Sequence, residues 1–197
     1  MDKRNLGMAK EGLLNEANWI HQDPPPSKAS LELRQRLYIS KDKALKNSTN
    51  LYVSTTRLQI RNLPRREFFE AELKELMKVA AEEWSHTLSK AEKQELYHNK
   101  KLVSHTKIMR DEQKTDSLTG ESLPSGQAFV EFANPDLALF AVRYLNNMEI
   151  VPKKGLIVDF SMEDQRALFK RKEKIERWRK IAQEKKKETK NEKDHDA

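Results

Sequence analysis

Arg57-Leu-Gln-Ile-Arg61 and Ser125-Gly-Gln-Ala-Phe-Val-Glu-Phe132 are the two stretches whose side chains could do chemistry together. Each alternates small or apolar residues with polar or aromatic ones at the two-residue period of a strand. Arg57, Gln59 and Arg61 therefore share one strand face, as do Gln127, Phe129 and Glu131. A guanidinium pairs with phosphate or stacks on a planar ring. An amide hydrogen-bonds the edge of a base, and an exposed ring is a platform on which a base can lie. A third cluster is purely electrostatic: Lys170, Arg171, Lys172, Lys174, Arg177, Arg179, Lys180, Lys185, Lys186 and Lys187 stand against only Glu173, Glu176 and Glu184. These ten bases against three acids carry a surplus equal to the whole chain's +7, so the attraction to a polyanion sits in the C-terminal extension. Catalysis has no comparable support. The histidines (21, 86, 98, 105 and 195) show no metal-ligand spacing with carboxylates, and the five glycines form no phosphate-cradling loop. The chain is expected not to be an enzyme and to use no cofactor and no small-molecule substrate.

Composition bounds what must position these groups. The 197 residues allow one ordinary domain with extensions. With 35% of residues charged and 37% apolar, part of the chain must be solvated, extended or bound to a partner. No apolar run approaches the roughly 20 residues of a membrane span, so no membrane partner is expected. There is no cysteine, which excludes disulfides and thiol chemistry and favours an intracellular setting.

The N-terminal 26 residues show no periodicity and end in Asp23-Pro-Pro-Pro26, an extended spacer. Ser30 is expected to cap a charged helix through about Lys46, with a thin stripe of Leu31, Leu33, Leu37 and Ala44 that packs on the domain or on a larger assembly. The domain proper begins with the strand at Arg57–Arg61, turned at Asn62-Leu-Pro64. An amphipathic helix follows over 68–84, with Phe68, Leu73, Met77 and Trp84 at helical spacing. Residues 85–101 are a polar insertion or helix extension. A strand over 103–110, a polar loop over 111–124 and a strand over 127–132 come next. Asn134-Pro135 opens a second helix through Leu145, and Leu156–Phe160 is the last strand. Ser161 and Asp164 resemble a capping box opening a long basic helix. On this reading residues 1–53 form an N-terminal arm, 54–162 the domain and 163–197 a basic helix and tail. Leu168, Ile175, Trp178 and Ala182 fall on one face of that helix, and Trp178 calls for a cover, either the sheet or a partner. The pieces give an α+β fold, βαββαβ, with two helices on one face of a four-stranded antiparallel sheet.

Gly126, Ala128, Phe129, Val130 and Phe132 fit the first signature of an RNA recognition motif, and Leu58-Gln-Ile-Arg-Asn-Leu63 fits the second. The two lie on the expected strands in the expected order. Further pieces extend the likeness: Asp2-Lys-Arg-Asn-Leu6, Lys10-Glu-Gly12, Ser54-Thr-Thr-Arg-Leu58, Leu145-Asn-Asn147 and Val158-Asp-Phe-Ser-Met-Glu-Asp164. Together they resemble the C-terminal RNA recognition motif of the nucleolar protein four family of fungi, whose animal relative is RNA-binding protein twenty-eight. The resemblance implies a terminal part of a longer, multi-motif protein of the nucleus and nucleolus. It also implies non-enzymatic assembly of large ribosomal subunit precursors, with pre-ribosomal RNA, ribosomal proteins and assembly factors as partners. It maps the family's stacking positions onto Gln59, Gln127 and Phe129. Relatives keep Tyr or Phe where this chain has Gln127, so base stacking does not carry over there.

Each aromatic platform contributes about 1–3 kcal/mol per base, and two of the three are glutamines. The sheet alone is therefore expected to hold single-stranded RNA weakly, with Arg57, Gln59, Arg61, Gln127 and Phe129 as its contacts. The basic helix from Lys170 to Lys187 is expected to supply most of the affinity. A second reading stays open: the sheet face binds a protein segment, and the basic tail serves as a nuclear or nucleolar address.

Overall fold

The computed structural model describes residues 4–14, 25–65, 68–90, 102–117, 120–170, 173–174 and 176–178. Strand alternation decides the architecture. Leu58 and Ile60 on β1 (Leu51–Arg61), Ala128, Val130 and Phe132 on β3 (Ser122–Phe132), and Val158 and Phe160 on β6 (Ile157–Asp164) are buried on one side of the sheet. β1 pairs antiparallel with β3 and β6, and β3 pairs antiparallel with β2 (Val103–Thr115), giving the order β2-β3-β1-β6. Helices α2 (Glu70–Thr87) and α3 (Pro135–Leu145) cover the apolar side with Leu73, Met77, Ala80, Leu137, Ala141 and Val142. Their local signals operate as expected. Asn134 Oδ1 accepts from the N–H groups of Asp136 and Leu137, Pro135 is the first residue of α3, and Glu72 closes the start of α2 by accepting from Phe69 N at 2.9 Å. The βαββαβ arrangement read from the sequence is present.

Several boundaries differ. The polar loop expected over 111–124 is largely a hairpin, because β2 runs to Thr115 and β3 starts at Ser122. That ribbon is polar on both faces, so no hydrophobic alternation marked it. A small hairpin, β4 (Glu149–Val151) with β5 (Lys154–Gly155), turns the chain between α3 and β6. Ser161 is buried within β6 and does not cap a helix; Asp164 does, its Oδ1 accepting from Arg166 N at 2.8 Å ahead of the helical residues 165–170. Most of the expected insertion, residues 91–101, lies outside the described residues.

The N-terminal segment is the main correction. Residues 4–14 are packed rather than extended: a 3-10 helix, Leu6–Lys10, and the turn after it bury Ala9 and Leu13. Val53 N donates to Arg4 O, and Asn5 Nδ2 donates to Val53 O. Helix α1 (Lys28–Asn47) is capped by Ser27, whose Oγ accepts from Ser30 N, so the cap lies three residues before the expected one. Its buried face is Arg34, Lys41 and Leu45, whereas Leu33 is exposed. The reason is the edge of the sheet. β6 is an outer strand, and its outward carbonyls need donors. Arg34 donates to Leu156 O, Lys41 donates to Phe160 O, and the Asn146 amide donates to Val158 O and accepts from Val158 N. A search for an apolar stripe cannot find a helix whose task is to bring cations to an edge.

Arg34 is fully buried and also donates to Gly12 O at 2.7 Å and Asn146 Oδ1 at 2.6 Å. Burial pulls its pKa down to about 10, opposed by the Asp159 carboxylate, so it remains charged at neutral pH. One guanidinium thus ties the N-terminal segment, α1, the end of α3 and β6 together.

Candidate nucleic-acid interface

The face of the sheet away from α2 and α3 gathers all five strand residues singled out by the sequence. Gln59 stands opposite Phe129, Arg57 opposite Glu131 and Arg61 opposite Gln127. On the far side of β3 the ladder continues with Lys107 opposite Phe129 and Met109 opposite Gln127. On the far side of β1, Asp159 stands opposite Gln59. Gln127 is exposed, while Arg57, Gln59, Arg61 and Phe129 are half-buried.

These side chains are bonded to one another. Asp159, almost wholly buried, accepts from Lys41 Nζ at 2.8 Å on one oxygen and from Arg61 Nη1 on the other. Arg61 Nη2 donates to Gln59 Oε1 at 2.6 Å, and Gln59 Nε2 donates to Gln127 Oε1 at 3.0 Å. A second group occupies the other end of the face. Arg57 Nη1 donates to Glu163 Oε1 at 3.0 Å, and its guanidinium carbon lies 4.9 Å from the centroid of the Phe129 ring. Tyr52 donates to the other Glu163 oxygen at 2.8 Å; burial first, then that carboxylate, push the Tyr52 hydroxyl pKa far up. Both arginines of the face are therefore matched by carboxylates, and the retained aromatic platform carries a guanidinium.

Sequence reasoning did not single out Asp159 and Glu163. The signal was present, because residues 159, 161 and 163 alternate onto the face of Gln59 within the quoted stretch Val158–Asp164. Lys41 left no such signal, since its role depends on where α1 docks. Lys107 is exposed beside Phe129 and engages no carboxylate among the described residues. In the basic extension, Lys170, Lys174 and Arg177 are exposed, whereas Arg171, Lys172, Arg179, Lys180, Lys185, Lys186 and Lys187 lie outside the described residues. Phe169 and Trp178 are 64% and 63% exposed, so the sheet is not the cover that Trp178 was expected to have. Leu168 and Phe169 line a shallow open groove with Tyr52 and Gln165. No group of His, Asp or Glu suited to a metal ion occurs among the described residues, nor any helix long and apolar enough to cross a membrane.

Topology, register and the two strand signatures together define an RNA recognition motif fold. Among known proteins, the chain is similar to RNA-binding protein 28 of Homo sapiens, with 32% identity over 177 residues, covering 88% of this chain. It spans 21% of that protein's length. No family model matches the chain. Solved structures with partial likeness include the Sex-lethal RNA recognition domains 1 and 2 of Drosophila melanogaster, with TM-score 0.36, 24% identity, and coverage of 54% of this chain and 49% of that one. The penultimate RNA recognition motif of hypothetical RNA-binding protein RBM19 gives TM-score 0.36 at 22% identity, covering 54% and 82%. None of these proteins is named for a catalytic activity.

Proposed function

We propose that this chain is a non-enzymatic RNA-binding module that acts in assembly of large ribosomal subunit precursors in the nucleolus. In this reading the basic extension from Lys170 to Lys187 meets the phosphates of pre-ribosomal RNA, and the sheet face adds a weaker contact. The observation that carries it is the pairing of Arg57 with Glu163 and of Arg61 with Asp159. A phosphate gains little from a guanidinium already matched by a carboxylate, so the long-range attraction falls to the tail. The similarity to RNA-binding protein 28 supports RNA as the polyanion, and the family resemblance of the motifs supports the nucleolar particle, with ribosomal proteins and assembly factors beside the RNA. In-cell RNA crosslinking with the crosslinked residues mapped tests this. Crosslinks concentrated at 170–187 on pre-ribosomal RNA are expected; crosslinks confined to other RNAs, or none, overturn the assignment.

A protein-interaction module is the second reading, favoured by the exposed rings of Phe169 and Trp178. It would return protein crosslinks at these two rings and none to RNA.

A further inference from the structure

The hydrogen bonds across the sheet face have a direction. A guanidinium carries donors only, so the amide beside Arg61 must turn its oxygen toward it, and Gln59 Oε1 accepts there at 2.6 Å. The Gln59 nitrogen is thereby aimed at the next strand, where it donates to Gln127 Oε1 at 3.0 Å. Asp159 starts the relay by fixing the guanidinium, and Lys41 holds the carboxylate from its other side. The relay ends in the Gln127 nitrogen, which is exposed and makes no hydrogen bond among the described residues. A solvated glutamine presents its oxygen and nitrogen interchangeably. Gln127 has its oxygen committed inward, so it offers a ligand an N–H donor.

That donor stands beside the stacking group. Phe129 is two residues along the same strand face from Gln127, with the Arg57 guanidinium over its ring. A base that displaces Arg57, or lies on its guanidinium plane, is held flat there and turns an edge toward Gln127. Resting on the reading that this face meets RNA, we propose that Gln127 is a specificity-determining residue. It selects bases whose outer edge bears a keto oxygen, uracil and guanine, over the amino bases cytosine and adenine. Uracil O4 and guanine O6 accept from the Gln127 amide. Cytosine N4 and adenine N6 place a donor against a donor and leave both unpaired.

Uracil and cytosine share the pyrimidine ring and differ only at the 4-position and the N3 proton, which makes them the sharpest comparison. The full chain is titrated in competition with short single-stranded oligouridylate and oligocytidylate, at salt high enough to mute phosphate contacts of the tail. Oligouridylate should bind about tenfold more tightly, the effect of one hydrogen bond set against one donor clash. Gln127→Glu replaces the donor by an acceptor and should reverse the order. Gln59→Leu cuts Gln127 loose from the relay and should bring the ratio toward one, with the urea midpoint reporting an intact fold. Equal binding of the two oligonucleotides by the unaltered chain, or an unchanged ratio in Gln127→Glu, overturns the proposal and leaves RNA binding standing. Binding at low salt that vanishes for both at high salt does the same. Absence of binding at any salt overturns both the proposal and the reading on which it rests.

Discussion

Arg57 reaches diagonally across the sheet to lie 4.9 Å from the centre of the Phe129 ring, although its direct partner in the ladder is Glu131. Glu163 holds it there from the other flank, at 3.0 Å. The only aromatic ring of the five sheet contacts is thus covered by a cation that is itself neutralised. A cation–π contact at a partly exposed site contributes about 0.5–1 kcal/mol, and an ion pair there no more than about 1 kcal/mol. A base stacking on Phe129 would contribute about 1–3 kcal/mol. The cover is therefore displaceable, and the face is weakened rather than closed.

Glu163→Gln tests that balance. Removing the carboxylate leaves Arg57 over the ring with an unmatched charge. Affinity for short single-stranded RNA should rise, and the slope of log affinity against log salt should steepen by about 0.7, the value for one added phosphate contact on a single strand. A salt titration of both proteins reads this directly. An unchanged slope would mean that Arg57 meets no phosphate.

Arg34 should prove the most costly charged residue to remove. Arg34→Met keeps the length of the stem but leaves Gly12 O, Asn146 Oδ1 and Leu156 O short of a donor inside the protein. Urea unfolding should show a loss of about 3 kcal/mol or more. Arg36→Met on the exposed side of α1 should change stability by less than about 0.5 kcal/mol. Gly12→Ala should also destabilise, by more than about 1 kcal/mol, because Gly12 has φ of +76° and an added Cβ would lie 1.9 Å from Val158 O. Equal midpoints for the Arg34 and Arg36 variants would contradict the role given to the buried guanidinium.

Those two positions also mark where the sequence stopped being legible. The sheet and the helices α2 and α3 were readable because their apolar residues repeat at periods of two and about 3.6, and because Asn134-Pro135 starts a helix by local chemistry alone. Alternation likewise placed Arg57, Gln59, Arg61, Gln127 and Phe129 on one face. The packed N-terminal segment escaped, since Ala9 and Leu13 bury at no regular spacing and its other contacts are made by backbone groups, one glycine and a helix face built on Arg34 and Lys41. The pairing of Arg57 with Glu163 and of Arg61 with Asp159 escaped for a different reason. It depends on which strands are neighbours, and strand order is set by the tertiary fold. The tail's charge was legible from composition, but composition does not say what its exposed rings touch.

Tyr52 gives the domain an alkaline signature. Its hydroxyl is held well above the usual tyrosine range in the folded chain, by burial and by the Glu163 carboxylate. The unfolded chain releases that proton near the ordinary value of about 10. Below that pH both states keep the proton and the contribution to stability is complete; above it only the unfolded state gains by ionising, so stability declines as pH rises. Tyr52→Phe removes the titrating group and should flatten the decline above about pH 10. Urea midpoints of the two proteins across the alkaline range check this, and parallel curves would rule out a raised Tyr52 pKa.

Salt dependence should locate the affinity. If phosphates meet the extension, truncation after Lys170 removes nine of the ten basic residues of the run Lys170–Lys187 and should flatten the salt slope for structured RNA toward that of a few sheet contacts. The described residues of the domain would be retained through residue 170, so the truncated chain keeps its packed core. An unchanged slope would transfer the electrostatic role to the domain surface, with Lys107 the first cation to examine.

The last prediction rebuilds the stacking row. Gln59→Phe together with Gln127→Tyr places two rings beside Phe129, at positions that face away from α2 and α3. The change removes the amide relay but leaves the Arg61–Asp159 pair and the Lys41 contact that fasten the β6 edge. The described part of the C-terminal helix does not stand in the way. Leu168 and Phe169 lie by Tyr52, at the other end of β1. Tyr52 stands opposite Glu163 and Gln59 opposite Asp159, four residues apart on β6 and so about 13 Å at the usual rise, because β1 bulges between Val53 and Leu58. The rings should therefore meet solvent, and each should add about 1–3 kcal/mol of affinity for short unstructured RNA before losses from imperfect geometry. The same variant should lose the preference for oligouridylate over oligocytidylate, because the amide donor that the relay aims is gone, the tyrosine hydroxyl both donates and accepts, and a stacked ring accepts every base. Affinity should thus rise as discrimination falls. A titration that showed no gain in the intact chain, but a gain once residues after Lys170 were deleted, which leaves β6 and Glu163 in place, would mean that the C-terminal extension lies across the face.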